Sequence, residues 1–101
     1  MATIFRVAQL SHVGQQIKDL ATETERFQIR QDFLKELRTI VERLQSNPKE
    51  VGDPLHRTAM PGGRVFRVVV PPFILYYALY ERDRLVLVLD VHPFPLSFPE
   101  E

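Results

Sequence analysis

The chain has 101 residues, of which 45% are hydrophobic and 26% charged, a composition typical of a single globular domain with one core. It contains no cysteine, so a disulfide framework and thiol chemistry are excluded. Its 13 basic residues balance its 13 acidic residues. No overall field therefore attracts nucleic acid, and any contact with nucleic acid requires a local basic patch.

No targeting or membrane segment is predicted. The start, "MATIFRVAQLSHV", lacks a basic region followed by a long apolar stretch. The longest apolar run, "VVVPPFILYYALY", is too short for a membrane helix and is interrupted by two prolines. We therefore expect a cytoplasmic protein without membrane contact.

The first half of the chain predicts a strand followed by two helices. Residues 3–9 partly alternate between apolar and polar and predict a short strand. Ser11 is the predicted N-cap of a first helix, although Gly14 weakens it by about 1 kcal/mol relative to alanine. Thr22 and a glutamate three residues later predict a capping box that opens a second helix over residues 25–45. Pro48 ends this helix.

The second half predicts three strands after a glycine- and proline-rich loop. The strands span Arg64–Val70, Phe73–Tyr80 and residues 85–91, with "PP" and "ERDR" as the two turns. The predicted fold is α+β: a strand, a helical hairpin and a three-stranded antiparallel meander, with the helices packed on one face of the sheet. We expect one domain over residues 1–92 and a proline-rich tail over residues 93–101.

Side-chain alternation divides the predicted meander into two faces. One face is almost wholly apolar and is assigned to the helices: Phe66, Val68, Val70, Phe73, Leu75, Tyr77, Leu79, Leu85, Leu87, Leu89 and Val91. The other face carries the polar residues among further apolar ones: Val65, Arg67, Val69, Ile74, Tyr76, Ala78, Tyr80, Val86, Val88, Asp90 and His92.

The second face predicts a partner, because small monomers seldom leave such an apolar patch bare. The candidates are the tail, a second copy of the chain in a homodimer, or a different protein. The predicted partner-binding residues are Val65, Val69, Ile74, Tyr80, Val86, Val88 and Asp90.

Two segments carry a resemblance to a known family. "LKELRTIVERLQSNPKEVGDPL", followed by "GGRVFRVVVPPFILYYALYERDRLVLVLDV", resembles the RelE/ParE superfamily of bacterial toxins, which includes plasmid stabilisation proteins. The resemblance extends from about Phe5 to His92, and the "NP" helix stop and the last hairpin are its most specific parts. It implies the toxin of a toxin–antitoxin pair, neutralised by a small antitoxin. In some members it implies an endonuclease that cleaves messenger RNA on the ribosome.

The chain departs from the ribonuclease branch of this superfamily. That branch has an arginine near the start of the second hairpin strand, where Ile74 stands here, and basic residues after the last strand, where "HPFP" stands. Arg67 does occupy a position where the family has a catalytic lysine or arginine. The candidate catalytic residues are therefore Arg67 to hold a phosphate, His92 as acid or base, and Tyr76.

The departures favour a toxin that acts by binding a protein, either an antitoxin or a gyrase-type target. The alternatives are a ribosome-dependent messenger-RNA endoribonuclease and an inactivated family member. Asp90 either orients His92 or forms a cross-strand ion pair with Arg67. Arg57 and Arg64 flank the loop, where they either contact nucleic acid or are simply solvated.

No metal or cofactor site is predicted. His12 and His56, with Asp53, do not have ligand spacing on one element. The glycines form turns, and no phosphate-binding glycine loop is present.

Overall fold

The computed structural model describes residues 4–55 and 62–95. In chain order the elements are β1 (Arg6–Gln9), α1 (Val13–Arg26), α2 (Arg30–Ser46), α3 (Pro48–Val51), β2 (Asp53–Pro54), β3 (Arg64–Val70), β4 (Phe73–Tyr80) and β5 (Leu85–Pro93). The predicted bounds of β3 and β4 are confirmed. The short α3 and β2 lie in a segment that the sequence predicted to be entirely loop.

One five-stranded sheet organises the domain, in the order β1-β5-β4-β3-β2. β3, β4 and β5 form the predicted antiparallel meander, and β1 runs parallel to β5 at one edge. The α1–α2 hairpin carries the chain from β1 at one edge of the sheet towards β2 at the other edge, and β3, β4 and β5 then bring it back to the strand beside β1. The predicted α+β architecture is confirmed.

The core lies between the helices and one face of the sheet. Phe33 of α2 meets Phe73 of β4 edge to face, with ring centroids 5.7 Å apart. Phe66 and Tyr77 stack in parallel at 5.1 Å across β3 and β4. The remaining buried apolar members of this core are Val13, Leu20, Ile40, Leu44, Val68, Leu75, Leu79, Val86, Val88 and Val91.

The turn between α1 and α2 differs from the prediction. α1 continues to Arg26, so the predicted capping box does not form, and the Thr22 hydroxyl instead donates to the Lys18 carbonyl at 3.1 Å. The chain reverses at Gln28, whose φ of 63° is left-handed. The amides of Gln28 and Ile29 donate back into the last turn of α1, the pattern of a Schellman cap with glutamine in the usual glycine position.

The start of α1 also differs. Its N-cap is His12, which makes no capping hydrogen bond with its side chain, and the predicted N-cap Ser11 precedes it. The end of α2 is as predicted, because Asn47 leaves the helical conformation before Pro48.

A β-bulge in β5 corrects the predicted division of the sheet into two faces. Tyr77 pairs with Val88 but Tyr76 pairs with Asp90, so Leu89 is an extra residue on β5. The prediction that Val86 and Val88 face away from the helices is wrong: both are buried in the core. Because the bulge reverses the alternation, Leu85 and Leu87 share the opposite side with Asp90 and His92.

Among the described residues, no helix combines the length and apolar character needed to cross a membrane.

Candidate functional site

The side of the sheet turned away from α1 and α2 is called the open face. It is largely apolar, and its most exposed large apolar residue is Val69, 47% exposed. The strand registers assign to it Val65, Arg67, Val69, Ile74, Tyr76, Ala78, Tyr80, Leu85, Leu87, Asp90 and His92. The predicted partner-binding residues thus share one face, except for Val86 and Val88.

The three predicted catalytic residues are neighbours on the open face. Arg67 of β3 pairs directly with Tyr76 of β4. The Tyr76 ring meets the His92 ring of β5 edge to face, with centroids 5.8 Å apart. A guanidinium, a phenol and an imidazole therefore follow one another across three strands.

Asp90 does not form the predicted ion pair with Arg67; its side chain contacts residues at the start of α1 instead. Its carboxylate lies 3.0 Å from Nε2 of His12 and 3.2 Å from Nε2 of Gln16, both on the first turns of α1 or its cap. His92 Nε2 is more distant, at 3.9 Å. No Arg67–Asp90 ion pair is found between these described residues, because Tyr76 on β4 separates their strands.

The same two α1 side chains close the edge of β5 beyond the end of β1. His12 Nε2 is 2.8 Å from the Leu89 carbonyl oxygen, and since a carbonyl only accepts, Nε2 carries the hydrogen. The Val91 amide donates to Oε1 of Gln16 at 2.8 Å. These bonds replace the strand pairing that β1 provides only as far as Gln9.

The Arg67 guanidinium is available on the open face to bind an anion. Its side chain is exposed and makes no ion pair with any residue of ranges 4–55 and 62–95. The face as described offers one guanidinium for an anion, one imidazole for proton transfer, and a carboxylate already engaged by α1. Within the same ranges no group of three His, Asp or Glu side chains is placed to hold a metal ion.

The other predicted site residues do not join this cluster. Arg64 lies over the Phe66 ring at 5.4 Å and so belongs to the helix side of the sheet, away from Arg67. Tyr80 packs so closely on Gly63 that a Cβ there would lie 2.9 Å from its ring. Arg57 and His56 lie outside the described residues.

Sequence reasoning missed His12 and Gln16 as partners of Asp90, and Leu85 and Leu87 as members of the open face. The spacing of His12 and Gln16, one helical turn apart, was the available signal for a shared contact. Nothing in "LVLVLDV" indicates the bulge, because apolar residues occupy both the odd and the even positions of the strand.

Residues 12–93 match the sequence model of the ParE toxin of type II toxin-antitoxin system, parDE. The chain belongs to the ParE toxin family. The resemblance to the RelE/ParE superfamily inferred from the sequence is therefore confirmed, and the chain is a toxin-family protein of a toxin–antitoxin system.

A solved structure shares the fold of this ParE-family chain. The archaeal RelE–RelB complex from Pyrococcus horikoshii OT3 includes a chain that is 18% identical, with a TM-score of 0.51. The likeness covers 89% of this chain and 94% of that chain. At this identity the comparison shows a common fold alone. Comparison with curated protein sequences finds no match.

Proposed function

We propose that this chain is a toxin that acts by binding a protein, and that an antitoxin neutralises it by covering the open face. The observation that carries the proposal is the apolar character of that face. Val65, Val69 and Ile74 lie beside the Arg67–Tyr76–His92 cluster, and the partly exposed Leu85 and Leu87 continue the surface on β5. A partner that covers this surface buries apolar area, and each Å² buried stabilises the complex by about 25 cal/mol.

Two features of the comparisons support this proposal. The ParE family is described by its place in a toxin–antitoxin system, and the similar archaeal chain was solved in a complex with RelB. Among the residues that the structure describes, the open face also has few cations: Arg67 is exposed on it, whereas Arg64 is on the other side of the sheet. A gyrase-type target fits this surface better than a ribosome, which would require more positive charge.

The proposal predicts that Ile74→Asp disrupts assembly with little loss of stability. Ile74 is half-buried in the middle of the open face, so a buried carboxylate there opposes any apolar partner. In an assembly of this chain with its antitoxin, the variant is expected to lose the antitoxin, and light scattering measures the resulting fall in mass. Growth arrest on controlled induction in bacteria is expected to be relieved by the same change.

Leu34→Asp is the matched control. Leu34 is 41% exposed on α2, and its substitution introduces the same charge away from the open face. It is expected to leave the mass of the assembly and the growth arrest unchanged. An Ile74→Asp protein that keeps both the native mass and the native arrest would contradict the proposal.

A second function is favoured by the adjacency of Arg67, Tyr76 and His92. In an endoribonuclease the ribose 2′-oxygen attacks the phosphorus, losing its proton to a base, and the 5′-oxygen leaves with a proton from an acid. His92 would serve one of these proton transfers and Arg67 would hold the phosphate, with Tyr76 between them.

This second function predicts that Arg67→Ala abolishes cleavage of messenger RNA, by at least about 100-fold, because one charge-stabilising donor commonly contributes that much. Arg82→Ala is the control, since Arg82 lies exposed in the turn between β4 and β5. Mapping RNA ends after induction of each variant shows whether messenger RNA is cleaved. Arrest that persists in Arg67→Ala without RNA cleavage favours the protein-binding toxin.

A further inference from the structure

A groove runs between α1 and the end of β5, separate from the middle of the open face. It has a volume of about 490 Å³, within the range of sites that bind ligands. Its lining is mostly apolar at the floor and acidic at the rim: Gln16, Asp19, Leu20, Glu23, Val91, His92, Pro93 and Pro95. The α1 side of the groove spans about 10 Å, at 1.5 Å per residue, or three to four residues of extended chain.

The groove cannot be filled by simple addition of a strand to β5. The Val91 amide is already bonded to Gln16, and the Leu89 carbonyl is bonded to His12. The Phe94 amide lies on the β4 side of β5, where it donates to the Pro72 carbonyl at 2.8 Å, and Pro93 has no amide hydrogen to donate. Since these edge groups are satisfied, an occupant gains little from backbone pairing and must be held by its side chains.

Charge determines what kind of segment fits. Asp19 and Glu23 lie one helical turn apart on α1 and are both exposed, so their carboxylates form one acidic rim. Asp19 accepts a hydrogen bond from Gln15 at 2.9 Å, and Glu23 is 3.9 Å from Arg26, so neither charge is buried in a tight pair. A partner carrying Lys or Arg beside apolar side chains complements this surface; an acidic partner is repelled.

The groove is continuous with the open face through His92. The His92 side chain lines the groove and its ring also contacts Tyr76. A segment that lies in the groove therefore continues over the Arg67–Tyr76–His92 cluster without a break.

We propose that this groove docks a segment of the antitoxin that inserts apolar side chains against Leu20, Val91 and Pro93 and places basic side chains on Asp19 and Glu23. The identity of the partner rests on the proposed function, whereas the chemistry of the segment rests on the groove itself. Docking there anchors the partner along α1 and leads its chain across the open face.

The test uses two synthetic seven-residue peptides, Lys-Leu-Ser-Lys-Leu-Ser-Lys and the same sequence with glutamate in place of lysine. Each is titrated into the ¹⁵N-labelled chain. The lysine peptide is expected to shift the amide signals of Leu20, Val91 and His92 and to bind at least about tenfold more tightly than the glutamate peptide. The double substitution Asp19→Lys with Glu23→Lys is expected to reverse that preference.

A matched double variant, Asp32→Lys with Asp83→Lys, changes the net charge equally at two exposed positions outside the groove. It is expected to keep the native preference. Absence of shifts at the groove residues, or equal affinity for the two peptides, overturns the proposal. The peptides test the groove without the antitoxin, whereas Ile74→Asp tests the open face in the assembly, so failure of the groove and failure of the proposed function give different results.

Discussion

Replacing Tyr77 by phenylalanine is expected to lower the free energy of unfolding by about 2–4 kcal/mol, because each buried polar group left without a partner costs about 1–3 kcal/mol. The Tyr77 side chain is fully buried. Its hydroxyl donates to the Pro48 carbonyl at 2.6 Å and accepts from the Gly52 amide at 3.0 Å. One phenol thus fastens α3 and the chain leading to β2 onto the sheet.

Urea denaturation followed by circular dichroism measures this loss. Tyr76→Phe is the matched control, since Tyr76 is the next residue on β4 and its hydroxyl makes no hydrogen bond within the described ranges. It is expected to change stability by less than about 0.5 kcal/mol. Equal effects of the two substitutions would contradict the assigned role of Tyr77.

The same hydroxyl predicts a loss of stability in alkali. Burial raises the pKa of Tyr77 to about 12, partly offset by the hydrogen bond from Gly52 and the charge of Arg43, with Asp53 adding to the rise. The ordinary tyrosine pKa is 10.0. Because the folded state holds the proton more tightly, this contribution to stability is complete below pH 10 and is lost as the pH rises through about 12.

The expected size of this loss is about 2–3 kcal/mol, at 1.36 kcal/mol for each unit of pKa difference. It is measured as the difference between the native chain and Tyr77→Phe in urea denaturation at pH 9, 10, 11 and 12. Between pH 10 and pH 12 the native chain is expected to lose stability faster than the variant. Parallel curves would show that the phenol ionises equally easily in the folded and unfolded chains.

Much of the fold could be predicted from the sequence because its signals are local. Glycines and prolines delimit β3 and β4, and Pro48 ends α2, so these boundaries agree with the structure. The turn at Gln28 was missed for the opposite reason. A left-handed residue is usually glycine or asparagine, and here glutamine takes that position with no marker in the sequence.

The open face could be predicted only in part, because its composition depends on register. Alternation correctly places Arg67, Tyr76 and His92 on one face, because β3 and β4 have no bulge and His92 follows the bulge in β5. It fails for Val86 and Val88, since one extra residue on β5 reverses every side chain before it. The spacing of His12 and Gln16 indicates only that they share a helix face; nothing in a single sequence indicates that this face contacts Asp90, which is 78 residues from His12.

Gly52→Ala is expected to destabilise the fold by about 2–3 kcal/mol, the usual cost of forcing atoms into a packed site. Gly52 has φ −119° and ψ −178°, which any residue adopts, so backbone freedom is not the reason for glycine here. The reason is space. A Cβ at this position would lie 2.8 Å from the Arg67 carbonyl oxygen and 3.2 Å from the Tyr77 hydroxyl.

Relief of that clash requires β3 to move at Arg67 or the Tyr77 hydroxyl to give up its two hydrogen bonds. The substitution is therefore expected to affect the open face as well as stability, since the Arg67 backbone takes the clash and the Arg67 side chain lies on that face. Gly14→Ala is the control: its Cβ would meet only Gln9 at 3.6 Å, and in a helix alanine is expected to stabilise by up to about 1 kcal/mol. Urea denaturation of the two variants should give changes of opposite sign, and a neutral Gly52→Ala would show that β3 yields freely at Arg67.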